Sequence, residues 1–184
     1  THQTSALILK NLMRAAELTQ SFKQVAVDQT GEQRRTFVLQ KYINEVLVSL
    51  RPTLRNTAYQ VSVNCKETIT CTTYPGAFAQ ILTNLIMNSL RHGFQGRSAG
   101  QITITAIPQA SQVILHYQDD GNGIAPDVIG KIFEPFFTTN HQSGGTGLGL
   151  HIVYNLVTHK LKGTIRCESE LGKGVDFILT LPLV

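Results

Sequence analysis

From Ala6 to Val27 the apolar residues Ile8, Leu12, Ala15, Leu18, Phe22 and Val25 recur every three or four positions, which predicts an amphipathic helix with one stripe to bury. The stretch from Asp28 to Arg35 is polar and carries Gly31 and two adjacent arginines. It therefore marks a boundary between an appendage, residues 1–35, and a main domain, residues 36–184. Within the main domain TFVL from Thr36 predicts a short strand. QKYINEVLVSLRPTLRN predicts a helix that Pro52 kinks or ends, and VSVNC and TITCTT alternate as strands do. PGAFAQILTNLIMNSLRH has helical period. QITITAI and QVILHYQ predict a hairpin around PQAS.

From Asp119 to Gly149 the period disappears apart from an IFEPFF patch, leaving about thirty residues of loop, a length typical of a lid or binding loop. LGLHIVYNLVTHKL is then helical, and GTIRCES and VDFILTLP are strands joined by ELGKG. Hairpins interleaved with helices predict a two-layer α/β sandwich, a mixed sheet with helices on one face, preceded by one long N-terminal helix.

Composition narrows the field. At 184 residues and 42% hydrophobic against 15% charged, the chain builds a core without staples. No apolar run approaches the roughly 20 residues of a membrane span, and the first residues lack the features of a secretory signal. They read as a cut inside a longer protein. Cys65, Cys71 and Cys167 form no CxxC pair and leave one over, which argues against a disulfide framework or zinc site and for a reducing cytoplasm. The net charge of +4 is scattered, with no stripe for nucleic acid.

Five features offer chemistry. Gln80, Asn84 and Asn88 stack at intervals of four with Arg91 three further on. Their amide oxygens suit Mg²⁺, although a solvated helix face has the same spacing. Asp119 begins DDGNG after a strand, where a carboxylate can accept from an exocyclic amine and alternate glycines let a flat ring approach; a plain turn looks alike. GGTGLGL from Gly144 to Leu150 opens a helix and can offer backbone N–H groups to phosphate, or serve only as a hinge. Phe133, Phe136 and Phe137 could dock a mobile loop or be a satellite of the core. Gly172 and Gly174 flank a hairpin turn.

The order of these boxes carries a resemblance. Asn84 and Asn88, Asp119, Gly121 and Gly123, the phenylalanines, Gly145 to Leu150, and Gly172 with Gly174 resemble the catalytic ATP-binding domain of bacterial sensor histidine kinases, and NSLRHGF and KIFEPFFTT look similar to those of the nitrogen-regulation type. The wider superfamily includes DNA gyrase B, Hsp90 and MutL. The resemblance covers roughly Thr36 to Val184 and implies a Bergerat-type sandwich. It also implies a protein-histidine kinase with Mg²⁺ and ATP as cofactors. Asp119 would take the adenine amine, Asn88 would bind the metal, and Asn84 would support it. Arg91 would lie near the phosphates and His92 over the adenine. Gly145, Gly147 and Leu148 would give N–H groups, and Lys131 would add a lid contact. Gly121, Gly123, Ile124, Phe133, Phe137, Thr146 and Gly149 complete the implied cofactor-binding set.

The resemblance further implies partners: a dimerisation hairpin with a phosphoacceptor histidine, and a response regulator receiver domain. The superfamily's ATPases place a glutamate general base four residues before the metal-binding Asn. Asn84 stands there and cannot take a proton, which favours transfer over hydrolysis. Acceptor histidines of the family are followed by an acidic residue, and none of the six histidines here is. The N-terminal helix resembles the second helix of the hairpin, so the chain alone is expected to bind ATP without phosphorylating itself. The exposed stripe of that helix suggests a homodimer or docking to a missing helix. The domain is expected in the cytoplasm, whether or not its parent is anchored in the inner membrane. Asn140, Val175 and His151 depart from the family pattern in the lid, near the adenine and at the start of the helix after GLGL. A non-catalytic ATP sensor that regulates a partner is the alternative.

Overall fold

The computed structural model describes residues 33–139 and 146–183. The N-terminal helix and its hairpin assignment lie outside the described residues.

The first strand, β1 (Arg35–Val38), pairs antiparallel with β3 (Thr70–Thr73) in a small two-stranded sheet. The N–H of Thr72 donates to the carbonyl of Leu183 at 2.9 Å and ties that sheet to the chain's last strand region. Between them runs α1 (Leu39–Leu54), which buries Leu39, Ile43 and Val46 along one stripe. Pro52 neither ends α1 nor stops its hydrogen bonding, since the Arg55 N–H still donates to the Arg51 carbonyl at 2.8 Å. The bond that Pro52 cannot make would have gone to the carbonyl of Val48, a residue that is itself exposed.

The main sheet has the order β2 (Tyr59–Cys65), β4 (Gly100–Gln109), β5 (Gln112–Asp119), β7 (Gly174–Pro182) and β6 (Thr164–Glu170). Among the described residues only β2 and β4 run parallel, and every other pair is antiparallel. The predicted PQAS turn is tighter in fact, because Pro108 and Gln109 belong to β4 and only Ala110 and Ser111 turn. Alternation separates two faces. Ile102, Ile104, Leu115, Tyr117, Phe177 and Leu179 are buried on one, whereas Thr103, His116, Gln118 and Asp176 occupy the other.

Two further helices cover the apolar face beside α1 among the described residues. The first, α2 (Pro75–Asn88), starts with proline at its first position and buries Ala77, Phe78, Ile81, Leu82, Leu85 and Ile86. The second, α3 (Gly149–Asn155), buries Ile152 and Val153. Both end in a widened π-type turn, Ser89–Gly93 and Leu156–Lys160. In the first the Phe94 N–H reaches back five residues to the Ser89 carbonyl, at 2.8 Å, and in the second Leu161 does the same to Leu156. The loop predicted from Asp119 to Gly149 holds, where described, only the 3-10 turn Ile129–Lys131. Ile132 is buried and anchors that segment to the body.

Candidate functional site

The polar ridge of α2, the C-terminal end of β5 and the start of α3 enclose a cavity of about 770 Å³, within the size range of small-molecule sites. Gln80, Asn84 and Asn88 all line it. Gln80 Nε2 donates to Asn84 Oδ1 at 3.5 Å, while Asn84 Nδ2 is buried and has no hydrogen-bond partner among the described residues. A buried unpaired amide is costly, by about 1–3 kcal/mol, unless a ligand or water satisfies it. A side chain added at Gly149 would come 3.7 Å from Asn88 Oδ1, so the start of α3 and the end of the ridge converge.

Asp119 ends β5 almost fully buried, with 7% exposure, in the wall of the cavity. Its Oδ2 accepts from the Ser89 hydroxyl at 2.5 Å and its Oδ1 from the Gly121 N–H at 3.0 Å. Burial pushes its carboxyl above the ordinary value, and the Ser89 and Gly121 bonds pull it back. The widened turn after α2 is what sets Ser89 beneath Asp119, and the neighbouring oxygen of Tyr117 lies 2.9 Å from Ser89 Oγ. Burial, then the charge of Arg91, hold the His92 ring below its usual value, so it is neutral at pH 7. Burial and nearby carboxylates push the Cys167 thiol up to about 12, which leaves it unreactive.

Of the residues the sequence singles out, Asn84, Asn88, Arg91, His92, Asp119, Gly123, Ile124, Phe137, Thr146, Gly147 and Gly149 line the cavity. Gly121 lies behind the wall and contributes its N–H to Asp119. Lys131 is exposed on the 3-10 turn and Leu148 is buried in the core, and neither lines the cavity. Phe133 packs against Tyr154 and Phe177, with ring centroids 5.5 and 6.3 Å apart. It is a satellite of the core rather than a wall of the cavity. Gly145 and Asn140 lie outside the described residues. Val175 is buried in the cavity wall.

The glycines of DDGNG have a different reason from the open approach read in the sequence. A Cβ on Gly121 would meet the Gly93 carbonyl at 2.5 Å, and one on Gly123, with φ of +72°, would meet that of Glu170 at 2.1 Å. Backbone packs against backbone there. Gly147 (φ +68°) likewise abuts the backbone of Phe136. The sequence reading missed Ser89 and Tyr117 because their partners lie about thirty residues away in the chain. The one local signal was a serine directly after Asn88.

His151 shows how the helix start is held. Its Nδ1–H donates to the Phe133 carbonyl at 2.9 Å, which leaves Nε2 to accept from Asn155 Nδ2 at 3.0 Å. These two bonds pin the Phe133 segment to α3. His151→Ala is expected to lower unfolding stability by about 1–2 kcal/mol, read by urea denaturation; an unchanged midpoint would show that the pin carries no load.

A buried carboxylate at one end of the cavity and a ridge of amides facing a glycine-rich helix start at the other define a nucleotide-binding α/β domain. The profile of the family described as histidine kinase-, DNA gyrase B-, and HSP90-like ATPase matches residues 73–184, and the chain belongs to that family. Sensor kinase CckA of Brucella abortus (strain 2308) is 39% identical over 122 residues, covering 58% of this chain and 12% of its own length. Sensor histidine kinase ZraS of Escherichia coli (strain K12) is 40% identical over 109 residues, covering 59% of this chain and 22% of its own. The chain thus spans less than a quarter of these relatives. Among solved structures, the nucleotide-free catalytic domain of histidine kinase ThkA superposes with a TM-score of 0.72 at 29% identity, over 82% of this chain and 96% of that one. ThkA in complex with the response regulator TrrA gives 0.74 at 25% identity, over 92% of this chain and 48% of the kinase chain. Within the family the chain is of the sensor-histidine-kinase catalytic-domain type.

Proposed function

We propose that this domain binds Mg-ATP in the cavity and donates the γ-phosphate to a histidine on a separate helical hairpin, from which a response regulator receives it. Residues 1–35 are then the second helix of such a hairpin with its linker, and the domain acts in the cytoplasm. The observation that carries the reading is that one cavity joins the buried acceptor Asp119 to the unsatisfied amide of Asn84 and to Asn88.

Asp119 would accept the adenine amine, and His92, kept neutral, would lie along the base without adding charge. Asn88 would hold Mg²⁺ through its amide oxygen, with Asn84 and Gln80 orienting it from the same ridge. The bound ion would neutralise phosphate charge. Arg91 and the N–H groups about Gly147 and Gly149 would face the phosphate end. Asn84 has no lone pair basic enough to take a proton from water, so the cavity positions ATP for an external nucleophile. The regulator-bound ThkA structure supports the downstream partner by analogy.

Isothermal titration with ATP, with and without Mg²⁺, tests the reading. Wild-type protein is expected to bind more tightly with Mg²⁺, and Asn88→Ala to lose that increment, about tenfold, while keeping metal-free binding. Equal Mg²⁺ dependence in both proteins would remove Asn88 from the metal site.

A further inference from the structure

In and behind the cavity wall lies a chain of three buried polar groups. Tyr117 is 0% exposed, Ser89 2% and Asp119 7%. The Ser89 hydroxyl has one proton, and the 2.5 Å bond to the Asp119 carboxylate uses it. Tyr117 must then donate to Ser89 Oγ across their 2.9 Å separation. Burial pushes the Tyr117 phenol up, so it stays protonated and the direction of donation is fixed. The chain runs from Tyr117 through Ser89 to Asp119, each bond polarising the next.

We infer that Tyr117 and Ser89 are positioning residues that fix Asp119 as a pure hydrogen-bond acceptor, and so make the cavity select a purine bearing an amino group over one bearing an oxo group. The inference rests on the reading of the cavity as an ATP site and names what sets its base preference. A carboxylate accepts only, whereas a protonated carboxyl offers an O–H that suits an oxo group. Without the hydroxyl chain the burial of Asp119 is opposed only by the backbone N–H groups of Gly121 and Val175.

Among the side chains around Asp119 none replaces the Ser89 hydroxyl as a donor. Asp120 follows it and its charge favours protonation of Asp119. Cys167 on β6 is a neutral thiol. Arg91 and His92 lie around the cavity, but among the described residues neither donates to Asp119. Glu168, Asp176 and the ion pair of Glu170 with Lys173, at 2.8 Å, lie about the ends of the strands on the other side.

The test compares wild type, Ser89→Ala, Ser89→Thr and Tyr117→Phe by titration calorimetry with ATP and with GTP from pH 5 to 8.5. The Asp119 carboxyl carbon is followed by NMR in the absence of nucleotide. Losing a hydrogen bond to a charged group shifts the balance by about tenfold. Ser89→Ala is expected to titrate at Asp119 about one pH unit higher, to bind ATP about tenfold more weakly at the acid end with recovery at pH 8.5, and to narrow the preference for ATP over GTP. Ser89→Thr should restore wild-type behaviour, and Tyr117→Phe should shift in the same direction by less. ATP affinity lowered equally at every pH, with an unmoved carboxyl titration, would overturn the inference. Wild-type protein that binds neither nucleotide would overturn the ATP reading instead, and the carboxyl titration would still decide the hydroxyl chain. If Ser89→Ala does not fold, Tyr117→Phe decides alone.

Discussion

Asp119→Asn is expected to weaken ATP binding by at least about 100-fold. The substitution removes a charge-assisted acceptor from a nearly dry wall and can turn an amide N–H toward the adenine amine, leaving two donors facing each other. Loss of the bond and the unsatisfied donor together amount to about 3–5 kcal/mol. Titration calorimetry reads the affinity, and an affinity within threefold of wild type would place the adenine elsewhere. The same variant should also lose the pH dependence that Asp119 gives to stability. Burial raises the Asp119 carboxyl in the folded state, so the folded protein holds that proton more tightly than the unfolded chain. Stability therefore falls as pH rises from about 4, the unfolded value, through the folded value, and the penalty is complete above it. Asp119→Asn carries no such penalty. Its melting temperature relative to wild type should climb from pH 4 towards neutrality, the reverse of its effect on binding.

Gly174→Ala is expected to be the most damaging single methyl group in the main sheet. Gly174 opens β7 at φ of +87°, and a Cβ there would come within 1.8 Å of the Asp119 carbonyl oxygen and 2.9 Å of the Asp120 Cα. Both obstacles are backbone, so no rotamer relieves them. The start of β7 must move away from β5 where Asp119 sits. Left-handed strain and overpacking together come to about 4 kcal/mol, or roughly 8–16 °C in melting temperature, with loss of ATP binding besides. Gly172, two residues earlier, has φ of +78° and nothing within 4 Å of its would-be Cβ. Gly172→Ala should therefore cost only about 1–2 kcal/mol, the conformational part alone. Equal melting temperatures for the two variants would mean that β7 can shift freely.

The strands and helices were legible because alternation and the spacing of Ala77, Ile81, Leu85 and their neighbours report which side is buried. Asn84, Asn88 and Asp119 were legible through the order of their boxes. What was not legible depends on distant geometry. The residues SLRHG give no sign that α2 widens into a π-type turn, yet that turn is what carries Ser89 under Asp119. Gly121 and Gly123 looked like openings for a ligand, because the sequence does not say that Gly93 and Glu170 fill the space. Pro52 looked like a kink or a helix end, because local sequence does not show that the helix goes on past it to Leu54 on an exposed side.

The most direct test supplies this chain with Mg²⁺, γ-labelled ATP and, as a separate polypeptide, the histidine-bearing hairpin of a sensor kinase. Label transferred to the hairpin histidine, and not released as phosphate from the domain alone, is the expected result. ATP binding that survives with no label on any histidine would contradict phosphotransfer and leave a nucleotide sensor in its place.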